Sequence, residues 1–179
     1  MVKIFELLSS RSVSRIMSHM LARPSTSFYA ARLSREARIS KPAVLSSLKR
    51  LEKAGILTRA QNGKEIFYSL AQNSAMIKQL KILLTLSSIS ELVQDAAKAA
   101  PEAEIYIFGS SARGEDTEKS DIDLLVVTQA QPSAFSPVFS RAKGLGIRPV
   151  FYTSMEYAML SRKDPAFYER VEKDRIRVL

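Results

Sequence analysis

Ile105-Tyr106-Ile107-Phe108-Gly109-Ser110-Ser111-Ala112-Arg113-Gly114, followed after a short charged loop by Ser120-Asp121-Ile122-Asp123-Leu124-Leu125-Val126-Val127, is the stretch whose reading decides the fold. An apolar run ends in a glycine-serine turn, and a second apolar run opens on two aspartates separated by one residue. Side chains alternate faces along a strand, so Asp121 and Asp123 point the same way while Ile122 and Leu124 turn to the core. Two carboxylates on one rigid face suit hard Mg²⁺ ions, together with phosphate oxygens and water. Gly109 lets the backbone come close to a ligand. Ser110 begins a helix, where its hydroxyl and the neighbouring N–H groups suit phosphate oxygens. The order is strand, phosphate-type turn, loop, and strand with two acids.

The totals set the frame. A chain of 179 residues with 46% hydrophobic content accommodates one domain or two small ones. It has no cysteine, which excludes disulfides and cysteine-ligated metal. No apolar stretch approaches the roughly 20 residues that cross a bilayer. Glu6 and Arg11 interrupt the short apolar run at the N-terminus, so a secretory signal is not expected. A soluble cytoplasmic protein with no membrane partner is the expectation.

Charge divides the chain. Residues 1 to 72 carry 13 Lys+Arg against 4 Asp+Glu, whereas residues 73 to 179 carry 14 against 14. The whole excess lies in the first part, which favours a polyanion partner there, with nucleic acid ahead of membrane.

Within that part Ser12 to Leu21 reads as a helix capped by Ser12, with Val13, Ile16, Met17 and Met20 on one stripe. Pro24-Ser25-Thr26-Ser27 breaks it, and a second helix from about Phe28 to Ala37 is expected to bury Phe28, Ala31 and Leu33. Ser40 caps a third, with Pro42 in its first turn and Val44, Leu45, Leu48 and Leu51 facing inward. Its opposite face presents Ala43, Ser46, Ser47, Lys49, Arg50 and Lys53, small or hydroxyl groups beside cations. Gly55 ends it. Ile56-Leu57-Thr58-Arg59 and Glu65-Ile66-Phe67-Tyr68 then flank Gln61-Asn62-Gly63-Lys64, a strong hairpin signal.

Three helices followed by a basic-tipped hairpin resemble a winged helix-turn-helix over roughly residues 10 to 72. Leu48-Lys49-Arg50-Leu51-Glu52-Lys53-Ala54-Gly55-Ile56-Leu57 is similar to the passage from recognition helix to wing. The resemblance implies double-stranded DNA as partner, with Ser46, Ser47, Lys49 and Arg50 at the major groove and Arg59 and Lys64 along the backbone. The plainer alternative is a three-helix interaction module with solvated cations. His19, the single histidine, reads as a surface or packing residue.

Asn73 caps a long helical stretch to about Ala99, about 40 Å if continuous, with Ser87-Ser88 as a candidate break. Ile77, Leu80, Leu84 and Leu92, widened by Leu83, Leu86, Ile89 and Val93, make an apolar surface that needs partners on more than one side. A homodimer through this helix is the expectation, and packing within its own chain the alternative.

The stretch quoted at the outset resembles the minimal nucleotidyltransferases of the DNA polymerase beta superfamily, over roughly residues 103 to 153. That likeness implies a small mixed sheet with helices on one side, an NTP held by Gly109 and Ser110, and Mg²⁺ held by Asp121 and Asp123 as the catalytic carboxylates. Arg113 reads equally as a nucleotide contact or a loop anchor. Ser120 supports the turn, and Glu115, Asp116 and Glu118 read as a solvated loop.

Active members of that superfamily add a third carboxylate on a later strand. The matching strand here is Ile147-Arg148-Pro149-Val150-Phe151-Tyr152-Thr153, which contains a cation and a proline but no acid. Pro149 also marks an edge strand. Glu156 starts the next helix, and Glu104 precedes the first strand. Losing a general base commonly costs about 10² to 10⁴ in rate.

The tail reads as a helix near Ser154 to Ser161, another opened by Asp164-Pro165, and a terminal strand from Arg175 to Leu179, with Tyr157, Phe167 and Tyr168 as core residues. Arg148 to Thr153, Glu156 and Asp164-Pro165-Ala166-Phe167-Tyr168 are similar to the winged-helix-fused branch of these proteins, where the same acid-poor strand is frequent.

The resulting expectation is an α+β chain: a winged helix-turn-helix over 1–72, a connecting helix over 73–100, and a nucleotidyltransferase-like domain over 101–179. It implies a DNA-binding regulator whose second domain takes Mg-NTP without an evident third acid. The alternative is an active enzyme moving NMP from NTP to a protein or small-molecule hydroxyl. A further variant is an antitoxin-like partner of a separately encoded toxin.

Overall fold

The structure, a computed structural model, describes residues 4–71 and 74–179. The chain is α+β and divides into two compact units, Met1–Leu80 and Lys81–Leu179. Among the described residues no helix is long and apolar enough to cross a membrane.

The first unit holds helices α1 (Ile4–Leu8), α2 (Arg11–Leu21), α3 (Ala30–Ala37) and α4 (Lys41–Lys53). Strands β1 (Phe28–Tyr29), β2 (Leu57–Asn62) and β3 (Glu65–Leu70) make an antiparallel sheet in the order β1-β3-β2. Val13, Ile16 and Met20 of α2 meet Leu33, Val44, Leu48 and Leu51 in a core closed by Phe28, Ile56 and Tyr68. The helical stripe read from spacing is therefore the buried one.

Several local expectations are corrected. Ser12 lies inside the first turn of α2, and Ser10 stands at the cap position with extended backbone. Phe28 and Tyr29 are strand rather than helix, because they pair with Tyr68 and Phe67, some 40 residues on and outside any local window. Ala31 is exposed and Ala37 takes its place in the core, while Leu45 is 39% exposed. Phe28 is also flanked by the guanidinium groups of Arg23 and Arg32, at 5.0 and 4.8 Å from its ring centre, and Glu36 bonds both.

Helix α4 ends as glycine chemistry requires. The Gly55 N–H donates to Glu52 and the Ile56 N–H to Leu51, with Gly55 at φ +71°, so both orphan carbonyls are satisfied. The hairpin is tighter than its sequence signal. Asn62 pairs with Glu65, so the loop is Gly63-Lys64, with the positive φ of +60° at Gly63.

Helix α5 (Ala75–Ala99) begins in the first unit, where Ile77 joins its core, and from Lys81 on belongs to the second, where it is followed by β4 (Glu104–Phe108), the single turn α6 (Ser110–Arg113) and β5 (Ile122–Val127). Then come α7 (Ser136–Arg141), β6 (Ile147–Tyr152), α8 (Ser154–Lys163), α9 (Pro165–Glu172) and β7 (Ile176–Arg177). No break occurs at Ser87-Ser88: the Ser88 hydroxyl donates to the Thr85 carbonyl within the helix. Asn73, its expected cap, lies outside the described residues. Ile77, Ile89, Leu92 and Val93 of its stripe are buried, but Leu83 and Leu84 are 61% and 38% exposed.

The sheet order is β6-β5-β4-β7, with β5 and β6 parallel and the other pairs antiparallel. Pro149 does lie on an edge strand. The expectation of helices on one side is corrected. Ile105, Ile107, Leu124 and Val126 pack with Ile89, Leu92, Ala96 and Phe135. Tyr106, Phe108, Leu125 and Val127 pack with Val171, Tyr157 and Phe167. Period-two alternation in both central strands thus buries two faces, not one. Asp164 caps α9 through the Phe167 N–H, and Thr153 with Glu156 forms a reciprocal capping box on α8.

Candidate functional site

Gly109 leaves β4 at φ +72° and ψ −148°, a conformation open essentially to glycine. A Cβ there would come within 3.0 Å of Asp123 Oδ2, so the missing side chain also makes room for that carboxylate. Phe108 pairs across the sheet with Asp123, which sets the turn directly over the acid. The Ser111 hydroxyl, 2% exposed, reaches the Asp121 carbonyl at 3.4 Å and joins turn to strand. Ser110 opens α6 and is half-buried. Ser120 accepts the Thr117 N–H at 2.9 Å and so holds the turn before Asp121.

Asp121, Asp123 and Arg148 share one face. Arg148 is opposite Asp123 in the β5–β6 register, and its Nε lies 2.6 Å from Asp121 Oδ2. Burial raises the Asp123 pKa above its ordinary value, against the opposing pull of Arg148 and Arg170, and the neighbouring Asp121 charge raises it further. Gly146, at φ +60°, accommodates the other side of Asp121: a Cβ there would meet Oδ1 at 3.0 Å.

Arg113 is committed elsewhere. Its guanidinium pairs with Asp174 at 2.6 Å and Glu115 at 2.8 Å, which makes it an anchor of the turn rather than a group turned to a phosphate. Glu115 and Asp116 are likewise not a merely solvated loop, since Asp116 pairs with the buried Lys81 at 3.2 Å. Glu156 is occupied by its capping box, and Glu104 pairs with Val127 at the far end of β4 and β5 from Asp123.

Nucleotidyltransferase domains generally use a divalent metal. Here the donor set does not fit a shared metal centre: one of the two carboxylates already holds a guanidinium. Among the described residues, no group of three or more His, Cys, Asp or Glu side chains is placed to bind an ion.

On the first unit, Ser46, Lys49, Arg50 and Lys53 lie on the exposed face of α4, and Arg59 and Lys64 are exposed on the hairpin. Ser47 is corrected. It is 2% exposed and donates to the Ser12 hydroxyl at 3.0 Å, so it joins α4 to α2 and does not reach an outer ligand. His19 is half-buried beside Arg23.

Sequence reasoning had no signal for Gly146, Ser111 or Arg170 at this site. Gly146 and Arg170 come to it from 25 or more residues away and Ser111 by folding of the turn back onto the strand, and only Arg148 of β6 could be read from local pattern.

Residues 86–174 match the family model described as a nucleotidyltransferase domain. No curated protein sequence matches the chain. A crystal structure of a proposed nucleotidyltransferase from Sulfolobus solfataricus, solved at 1.40 Å, is similar at 24% identity, covering 59% of this chain and 88% of that one with a TM-score of 0.39. A nucleotidyltransferase domain is therefore present in this chain.

Proposed function

We propose that the protein is a DNA-binding regulator of the winged helix-turn-helix type, whose nucleotidyltransferase domain accepts a nucleotide but does not carry out transfer. The observation that carries the first half is the row of exposed cations on α4 and the hairpin. Among the described residues Lys49, Arg50, Lys53, Arg59 and Lys64 take no part in any salt bridge, while α4 buries its other face on α2 and α3. The element order supports the same reading: α3, a turn through Arg38 at φ 51°, α4, then a two-stranded wing. In this arrangement Ser46, Lys49 and Arg50 enter the major groove and Arg59 and Lys64 follow the phosphates. The second half rests on the absence of an acid opposite Asp123, where the register holds Arg148. In this reading Gly109 and Ser110 border the phosphates, and the protein acts as a homodimer through the exposed leucines of α5.

Fluorescence anisotropy on duplex DNA from upstream of the protein's own coding sequence tests this. Lys49→Ala with Arg50→Ala is expected to weaken binding by about tenfold or more and to flatten the salt dependence by about one charge per lost phosphate contact. Asp121→Asn with Asp123→Asn is expected to leave DNA binding intact. Equal affinity of the wild type and the cation double variant would sink the reading.

The family match favours one competing reading, an active nucleotidyltransferase targeted by its first unit. Transfer of labelled AMP from ATP by the wild type, lost in the aspartate double variant, would put that reading first.

A further inference from the structure

The acidic pair of this site is already neutralised from within the chain. Asp121 holds Arg148 Nε at 2.6 Å, and the register that sets Arg148 opposite Asp123 brings its side chain within reach of Asp121. Asp123 feels both Arg148 and Arg170. The Arg148 side chain is 73% exposed against 33% for Asp121, so the guanidinium lies over the carboxylate on its solvent side, where an incoming ion would have to approach. On the other side of Asp121, Oδ1 abuts Gly146.

A divalent ion needs several oxygen ligands and keeps only those not engaged elsewhere. With Arg148 in place one carboxylate is engaged, a fixed positive charge stands within a few ångströms of any shared ion, and among the described residues no third acid offsets it.

We propose that Arg148 is the resident cation of this site, occupying Asp121 in place of a divalent metal, so that the protein alone does not bind Mg²⁺ or Mn²⁺ at the Asp121 and Asp123 pair. The inference concerns the second unit only and stands whether or not the first binds DNA.

Mn²⁺ titration of the full-length protein, followed by the electron paramagnetic resonance signal of the free ion, tests it. The wild type is expected to deplete the signal no more than its Asp121→Asn variant does. Arg148→Ala is expected to gain one Mn²⁺ site about tenfold tighter or more, Arg148→Asp a tighter one still, and Asp121→Asn in the Arg148→Ala background removes the gain. Arg148 is exposed on an edge strand, so its loss leaves the core intact. Arg148→Gln, which keeps the stem and the hydrogen bond without the charge, serves if the alanine variant unfolds early. A wild-type Mn²⁺ site that Asp121→Asn abolishes and that Arg148→Ala does not tighten would overturn the proposal. So would arginine variants that bind Mn²⁺ no better than the wild type.

Discussion

Lys81, which is buried, and Asp116, which is half-buried, form an ion pair that ties helix α5 to the loop between the glycine turn and the two aspartates. Lys81 is 6% exposed, its Nζ lies 3.2 Å from Asp116 Oδ1, and it donates in addition to the Asp116 carbonyl. The carboxylate oxygen has no hydrogen bond of good geometry, so the contact is charge on charge. Asp116→Ala removes the countercharge and leaves the ammonium only the Asp116 backbone carbonyl, which is expected to cost about 1.5–3 kcal/mol of stability. Lys81→Met with Asp116→Asn, which removes both charges, is expected to recover most of that loss. Urea unfolding measures both, and an Asp116→Ala variant within about 1 kcal/mol of wild type would refute the burial argument.

Gly109 is constrained twice, by its φ of +72° and by the Asp123 carboxylate 3.0 Å from where a Cβ would lie. Gly109→Ala is expected to destabilise by about 1–3 kcal/mol. Gly63→Ala shares the positive φ but meets nothing within 4 Å, so its loss is expected to be the smaller. Thermal unfolding of the two variants compares them, with the ψ of −148° at Gly109 and the crowding of the acid both acting in the same direction. Equal losses would refute both contributions.

Asp123 gives the unfolding free energy a pH slope of known sign. Burial raises its pKa in the folded state, so the folded protein holds this proton more tightly than the unfolded chain does. Its contribution therefore favours folding at low pH and is lost as pH rises from the ordinary aspartate value through the raised one. Asp123→Asn is expected to be the more stable form near neutral pH, with the difference shrinking as pH falls through that window. Denaturant unfolding between acid and neutral pH checks it. A variant less stable than wild type at neutral pH would mean that the two arginines outweigh burial.

The proposed homodimer has a direct test in Leu83 and Leu84, which α5 leaves 61% and 38% exposed. Light scattering of the wild type is expected to give twice the chain mass, and Leu83→Lys with Leu84→Lys to give the monomer. A wild type that is monomeric at high micromolar concentration would remove the dimer from the reading.

How much was legible depended on how far apart in sequence the cause of each feature lay. Gly55, Pro42 and Asp164 carry their own turn and cap chemistry, and each stands where local rules put it, whereas the hairpin loop lies one residue on from the Asn-Gly pair, at Gly63-Lys64. Phe28 and Tyr29 failed because their partners are Tyr68 and Phe67. Ser47 failed because α4 is rotated so that its hydroxyl meets Ser12 of α2, and no periodicity distinguishes a polar residue at the edge of a buried face from one beyond it.

The sequence alone determined most of the order of the elements, though not β1 or α7, and with it the two aspartates on one face, the glycine turn above them and the concentration of charge in the first 72 residues. Those follow from alternation, conformational preference and composition, which are properties of neighbours along the chain. Tertiary structure alone decided what the two aspartates face. The parallel pairing of β5 with β6 sets Arg148 opposite Asp123 and onto Asp121, while the approach of α9 brings Arg170 within reach of Asp123 and Asp174 onto Arg113. Register between distant strands fixed those partners, and a shift of one residue would have turned Arg148 to the opposite face of the sheet.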